Sequence, residues 1–180
     1  MISTSKILII SACFALLSCE AKQNYPDKPK IEYKDHEVIK NVQGRDSVIN
    51  LTISYIDGDG DLGLKESQTD PPFDTGKYAN NLFMEYQERI DGEFQQVRRD
   101  KWNPEDTIGF EYRFPYVTPD GKNKSIKGDL SVKISPRPYF YYPQENYEGF
   151  VKFKVSIVDR KLHQSNTITT PAIPFKQQDL

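Results

Sequence analysis

The sequence predicts an all-β protein built as an antiparallel β-sandwich, and three observations carry that reading. Apolar and polar residues alternate with a period of two in several short runs, the pattern of strands buried on one face. Eleven Tyr and ten Phe stand against two Met in a chain that also holds ten Gly and twelve Pro, a composition that favours sheet and turn over helix. No run has the spacing of an amphipathic helix, and no segment repeats another.

Residues 46–56 (DSVINLTISYI) alternate cleanly, with Ile49, Leu51, Ile53 and Tyr55 on one face and Asn50, Thr52 and Ser54 on the other. Residues 65–81 contain Pro71, Pro72, Gly76 and the pair Asn80-Asn81, and read as a long loop. Residues 82–90 alternate again, Asp91-Gly92 supplies a strong hairpin signal, and residues 93–97 pair back. Ile108, Phe110, Tyr112, Phe114 and Tyr116 form one unbroken stripe, which predicts a strand along its whole length. Pro119-Asp120-Gly121 turns the chain, and residues 129–135 return with Leu130, Val132 and Ile134 inward. Residues 149–159 (GFVKFKVSIVD) make the second clear strand and, like the first, end in an aspartate. Residues 163–166 turn, and residues 167–173 form a last strand that Pro171 and Pro174 mark as an edge. The sum is about seven short antiparallel strands, the pattern of an immunoglobulin-like sandwich, with a jelly roll as the other architecture of similar spacing.

The N-terminus reads as an address. Lys6 and the apolar run 7–17 form a signal peptide over residues 1–18, too short to span a bilayer as a permanent helix. Leu16-Leu17-Ser18-Cys19 closes it and resembles a bacterial lipobox, whose cysteine is acylated; an ordinary secretory signal containing a cysteine is the other reading. Cys13 leaves with the signal, so Cys19 is the one thiol of the processed chain and no intrachain disulfide is expected. Two or more acyl chains on Cys19 would anchor the protein durably to a membrane. Residues 19–30 are polar, contain Pro26 and Pro29, and read as a lipidated tether, leaving residues 31–180 as the folded domain. The formal net charge of −2 and the absence of a basic run argue against a nucleic-acid partner.

Asp57-Gly58-Asp59-Gly60-Asp61-Leu62-Gly63 follows directly on the strand 46–56. Carboxylates at alternate positions of a glycine-softened backbone can converge, and each pair ~6 Å apart repels by roughly 3 kcal/mol at an effective dielectric near 20. A hard cation taking oxygens from a flexible loop, Ca²⁺, would relieve that repulsion. The comparison with an EF-hand fails, because Leu62 replaces the glycine after the third aspartate and Gln68 the bidentate glutamate at the twelfth position. Further ligands must come from elsewhere. In an immunoglobulin-like order the strands 46–56 and 149–159 run the same way, so Asp159 is expected beside Asp57, Asp59 and Asp61, with Asp129 at a strand start as a further candidate. Two other readings stand: a solvated turn, and carboxylates satisfied by loop amides and Arg160.

Taken with residues 71–73 (Pro-Pro-Phe), Asn80-Asn81-Leu82-Phe83, Pro115-Tyr116-Val117-Thr118-Pro119, Lys127-Gly128-Asp129 and Val158-Asp159-Arg160, the string 55–63 resembles a family of Bacteroidota outer-membrane lipoproteins. That family carries the DGDGDLG segment in an immunoglobulin-like domain behind a lipobox. The resemblance implies an outer-membrane lipoprotein, facing the periplasm or the cell surface, and brings no established activity.

Enzyme chemistry finds little purchase. His36 and His163 lack metal-ligand spacing, and nucleophile-elbow and phosphate-cradling sequences are absent. Clustered aspartates two residues apart suit a cation better than the acid and base of a glycosidase. A binding role is the stronger rival: Tyr139-Phe140-Tyr141-Tyr142, with Trp102 and Tyr147, offers aromatic faces to a glycan or a protein partner, or else packs over one end of the sandwich. The expectation is therefore a non-enzymatic, lipid-anchored accessory module with a calcium-stabilised loop, and the alternative a carbohydrate-binding lipoprotein of a nutrient-uptake system.

Overall fold

The computed structural model describes residues 24–99, 102–103, 105–122, 124–136 and 146–176. The signal peptide, Cys19 and the aromatic run with Tyr139, Tyr141 and Tyr142 lie outside the described residues. The chain is all-β. Its strands are β1 (Lys30–Lys40), β2 (Asp46–Asp57), β3 (Leu82–Ile90), β4 (Glu93–Gln96), β5 (Gly109–Tyr112), β6 (Ile126–Ile134), β7 (Tyr147–Ile157), β8 (Ile168–Thr169) and β9 (Ile173–Pro174), with one 3₁₀ turn at Gly76–Ala79.

Two antiparallel sheets form. The first has the order β1-β2-β6, and the second is built on β3 and β7. β4 and β5 share the outer edge of β3, and β8 and β9 share the outer edge of β7. Among the described residues, nine segments thus fill seven strand positions, three in one sheet and four in the other. That is a β-sandwich, and its strand order is consistent with the immunoglobulin-like arrangement.

The inward rows are those the alternation predicts. Ile49, Leu51, Ile53 and Tyr55 of β2 and Ile134 of β6 meet Leu82, Met84 and Tyr86 of β3 and Val151, Phe153, Val155 and Ile157 of β7 in one core. Each fully buried aliphatic or aromatic side chain contributes about 1.5–3 kcal/mol of transfer free energy. Tyr86, Phe110 and Phe153 touch in tilted and edge-on contacts with centroids 5.6–6.2 Å apart.

Departures from the expected elements have local causes. The stripe 108–116 is a ladder strand only over β5, because Phe114 N–H turns away to Asn81 Oδ1 (2.6 Å) and Pro115 has no N–H to give. Phe114 stays fully buried, whereas Tyr116 is 39% exposed. The expected last strand is cut in two around Pro171, and there Thr170 substitutes for the ladder, its N–H donating to Phe153 O (3.0 Å) and its Oγ1 accepting from Phe153 N–H (3.1 Å). β1 forms where the sequence shows no sustained alternation and predicts no strand. The end of the anticipated tether is docked too, with Pro26 O accepting from Gly58 N–H at 2.8 Å and Pro29 buried.

Candidate metal centre

The acidic loop begins as the continuation of a core row. Asp57 is the last inward residue of β2, in line with Ile49, Leu51, Ile53 and Tyr55, and its side chain is as inaccessible as theirs. The chain then curls back: Asp57 Oδ2 accepts Leu62 N–H at 3.1 Å, and Leu62, 0% exposed, plugs into the core. This is why leucine stands where an EF-hand needs glycine. Here the position is an anchor rather than a sharp turn. The turning is done by Gly60 (φ 64°) and Gly63 (φ 84°), and a Cβ on either would lie 1.8 Å from Lys124 O or 1.9 Å from Pro115 O.

The opposite sheet supplies the second wall. Beyond β7, Arg160 N–H donates to Asp61 O (3.2 Å), and its guanidinium donates to Leu62 O (3.2 Å), Gly63 O (2.8 Å) and Thr118 Oγ1 (2.6 Å). Thr118 Oγ1 passes a hydrogen bond to Gly60 O. The guanidinium and Lys65 Nζ both approach the ring of Tyr116, at 4.9 and 4.6 Å from its centroid. Arg160 therefore satisfies loop carbonyls and Thr118 rather than the carboxylates. Lys161 does the latter, contacting Asp59 Oδ2 directly and lying 4.0 Å from Asp61 Oδ2.

Asp57, Asp59 and Asp61 each present a carboxylate oxygen within 4.8 Å of the other two. The Oδ1 atoms of all three are buried without a hydrogen-bond partner. An unsatisfied buried acceptor costs about 1–3 kcal/mol, more when charged, so three together demand an explanation that a solvated turn does not provide. The group could hold a metal ion. Its donors are all carboxylate oxygens, the set that suits a hard cation rather than one preferring sulfur or nitrogen.

Electrostatics agree with that geometry. Burial pushes Asp57 up to about 7 from an ordinary 3.8, and the charges of Asp59 and Asp61 add to the rise. Asp61 is pushed up to about 6 by burial, then by Asp159 and Asp59, against the pull of Lys161 and Arg160. Burial also works to raise Asp59, but the Lys161 ammonium outweighs it and holds the group below its ordinary value. The three clustered carboxylates thus meet one contacting ammonium, that of Lys161.

The other expected ligands fall elsewhere. Asp159 is at the same pole, as the parallel course of β2 and β7 requires, and its charge is felt by Asp57 and Asp61. Its oxygens, however, close the turn after β7: Oδ1 accepts His163 N–H (2.8 Å) and Oδ2 contacts His163 Nδ1 (2.9 Å). Asp129 is not part of the cluster. It pairs in register with Ser54, whose side chain points to the outer face, and there it binds Lys34 Nζ (2.5 Å) and Ser54 Oγ (2.7 Å). Reaching the loop would require crossing the sheet, so Asp129, expected as a further ligand, is not one. Trp102 lies between β4 and β5 and is 84% exposed, while Tyr147 donates its hydroxyl to Phe175 O.

Lys161 and Thr118 were missed as members of the site. Lys161 carried a faint signal, a second basic residue directly after Val158-Asp159-Arg160, whereas Thr118 sits in a segment with no pattern of its own. Comparison with protein-family models, with curated proteins and with solved structures returned no match.

Proposed function

We propose that this chain is a lipid-anchored, extracytoplasmic, non-enzymatic binding or accessory module of a bacterial outer membrane, whose acidic loop holds Ca²⁺ as a structural ion. The observation that carries the reading is the convergence of three unpartnered, buried carboxylate oxygens at one pole of the sandwich. Calcium fits better than magnesium, because a flexible loop of carboxylates and carbonyls tolerates six to eight ligands at irregular angles, whereas magnesium demands a near-ideal octahedron and keeps its waters. The lipobox-like tetrapeptide ending in Cys19 and the resemblance of residues 55–63 to Bacteroidota lipoproteins support the anchored, outer-membrane setting.

Thermal melts in calcium and in EGTA test the ion. Calcium at a hundred times its dissociation constant stabilises by about 2.7 kcal/mol, or several degrees in a domain of this size. Asp59→Asn should abolish most of that gain, and an unchanged melting temperature across millimolar calcium in the wild-type protein would rule the ion out. The anchor is tested by fractionation: Cys19→Ser should move the protein from the membrane to the soluble fraction, and persistence in the membrane would refute acylation at that residue.

A further inference from the structure

Residues 24–29 lie across the acidic loop rather than leading away from it. Pro26 O accepts the Gly58 N–H at 2.8 Å, and the contact is so close that a Cβ on Gly58 would sit 2.2 Å from Tyr25 O and 2.8 Å from Pro26 C. Tyr25 is half-buried and Pro29 buried. The segment is then handed to β1 through Ile31, whose N–H and C=O both pair with the Asn166 side-chain amide at 2.9 Å. Asp27 adds its charge at Lys161, the residue that bridges Asp59 and Asp61. The loop therefore binds the strap through its Gly58 peptide, while the Oδ1 atoms of Asp57, Asp59 and Asp61 are buried without partners.

We propose that a divalent cation in the loop fastens the strap 24–29 to the domain, so that ion occupancy sets the length of free chain between the domain and its anchor. The inference rests on the calcium reading above and adds a consequence to it. With the ion in place, the Gly58 peptide is held where Pro26 can meet it. Without the ion, repulsion among Asp57, Asp59 and Asp61 opens the loop, the Gly58 amide swings out of register, and the strap loses its backbone partner. From Cys19 to Tyr25 there are six residues, at most ~22 Å of extended chain; release as far as Lys30 lengthens this to eleven residues, ~40 Å. An ion-loaded molecule is thus held with its acidic pole toward the anchoring surface, and an ion-free one swings on a tether about twice as long.

Hydrogen–deuterium exchange of the full-length protein in detergent micelles, in calcium chloride and in EGTA, tests the coupling. Calcium should slow exchange about tenfold in peptides covering residues 24–31 and 57–63 together, with the Gly58 amide among the slowed sites. Gly58→Ala removes no carboxylate, and its φ is outside the left-handed region, but its methyl displaces the strap. That variant should keep a calcium-dependent rise in melting temperature, smaller than the wild-type rise because coupling is reciprocal, while residues 24–31 exchange fast in both conditions. Calcium protection of 57–63 with no change in 24–31 of the wild-type protein would overturn the strap and leave the ion site standing. No calcium effect on either peptide, with no shift in melting temperature, would overturn the site reading and the strap with it.

Discussion

At the scale of single residues, the site turns on what a carboxylate does when water is taken away and no partner replaces it. Asp57 and Asp61 are raised to about 7 and about 6 by burial and by their neighbours' charges, from 3.8 when exposed. Their folded pKa values exceed the unfolded ones, so between about pH 4 and pH 7 the native state holds more protons than the unfolded state. The stability these protons provide is complete below the unfolded value and lost as the pH climbs through 6 and 7. Asp59, held low by Lys161, acts in the opposite sense and only at more acid pH. The metal-free protein should therefore melt higher at about pH 5.5 than at about pH 8.0, the reverse of the behaviour of a carboxylate held by a salt bridge. Calcium binds the deprotonated form, so its affinity should rise over the same interval and the melting temperatures at the two pH values should converge or invert when it is added. Melts across this range in EGTA and in calcium check both signs, and a flat profile in EGTA would mean that these carboxylates are not desolvated.

At the scale of elements, the sequence was legible wherever one periodicity ran unbroken. β2, β3 and β7 fall within two residues of the runs their alternation marks, because both faces of each strand keep to their sides throughout. β1 was hidden by a bulge. Ile31 and Tyr33 face Tyr55 and Ile53, but the register shifts between Tyr33 and Asp35, and thereafter His36 and Val38 face Leu51 and Ile49. The inward positions change from odd to even across Lys34, so the run 30–40 shows no period of two even though each half obeys one. The stripe from Ile108 to Tyr116 misled in the other direction, because periodicity records which side chains point inward and not which backbone groups pair. Phe114 honours the stripe by burial and leaves the ladder through its bond to Asn81. The candidate site shows the same division. Spacing alone located Asp57, Asp59 and Asp61, since all three lie in one loop. Asp129 was misassigned because face, which register fixes, cannot be read from a strand's first residue, and Lys161 was overlooked because its role exists only once β7 has been brought to the loop.

At the scale of the whole molecule, the acidic pole is a joint between the two sheets. The loop belongs to β2 of one sheet, whereas Arg160 and Lys161 continue β7 of the other, and residues 114–118 run between them. Arg160 is the principal tie, giving three side-chain hydrogen bonds to Leu62 O, Gly63 O and Thr118 Oγ1, and a stacking contact with Tyr116. Removing it strands two half-buried carbonyls as well as the contact itself, an effect of about 2–4 kcal/mol. In a domain of this length, 1 kcal/mol moves the midpoint by ~2–4 °C, so Arg160→Met should lower the metal-free melting temperature by roughly 4–16 °C. Asp129→Asn is the matched control, because it removes an ion pair from the exposed outer face, where solvent screens both partners, and should leave the midpoint within error. Both variants should melt in one transition, since the core is shared by the two sheets and neither sheet has a second apolar face on which to stand alone. If Arg160→Met shifts the midpoint no more than Asp129→Asn does, the sheets are held together by the core alone, and the acidic pole is a site resting on the sandwich rather than a joint within it.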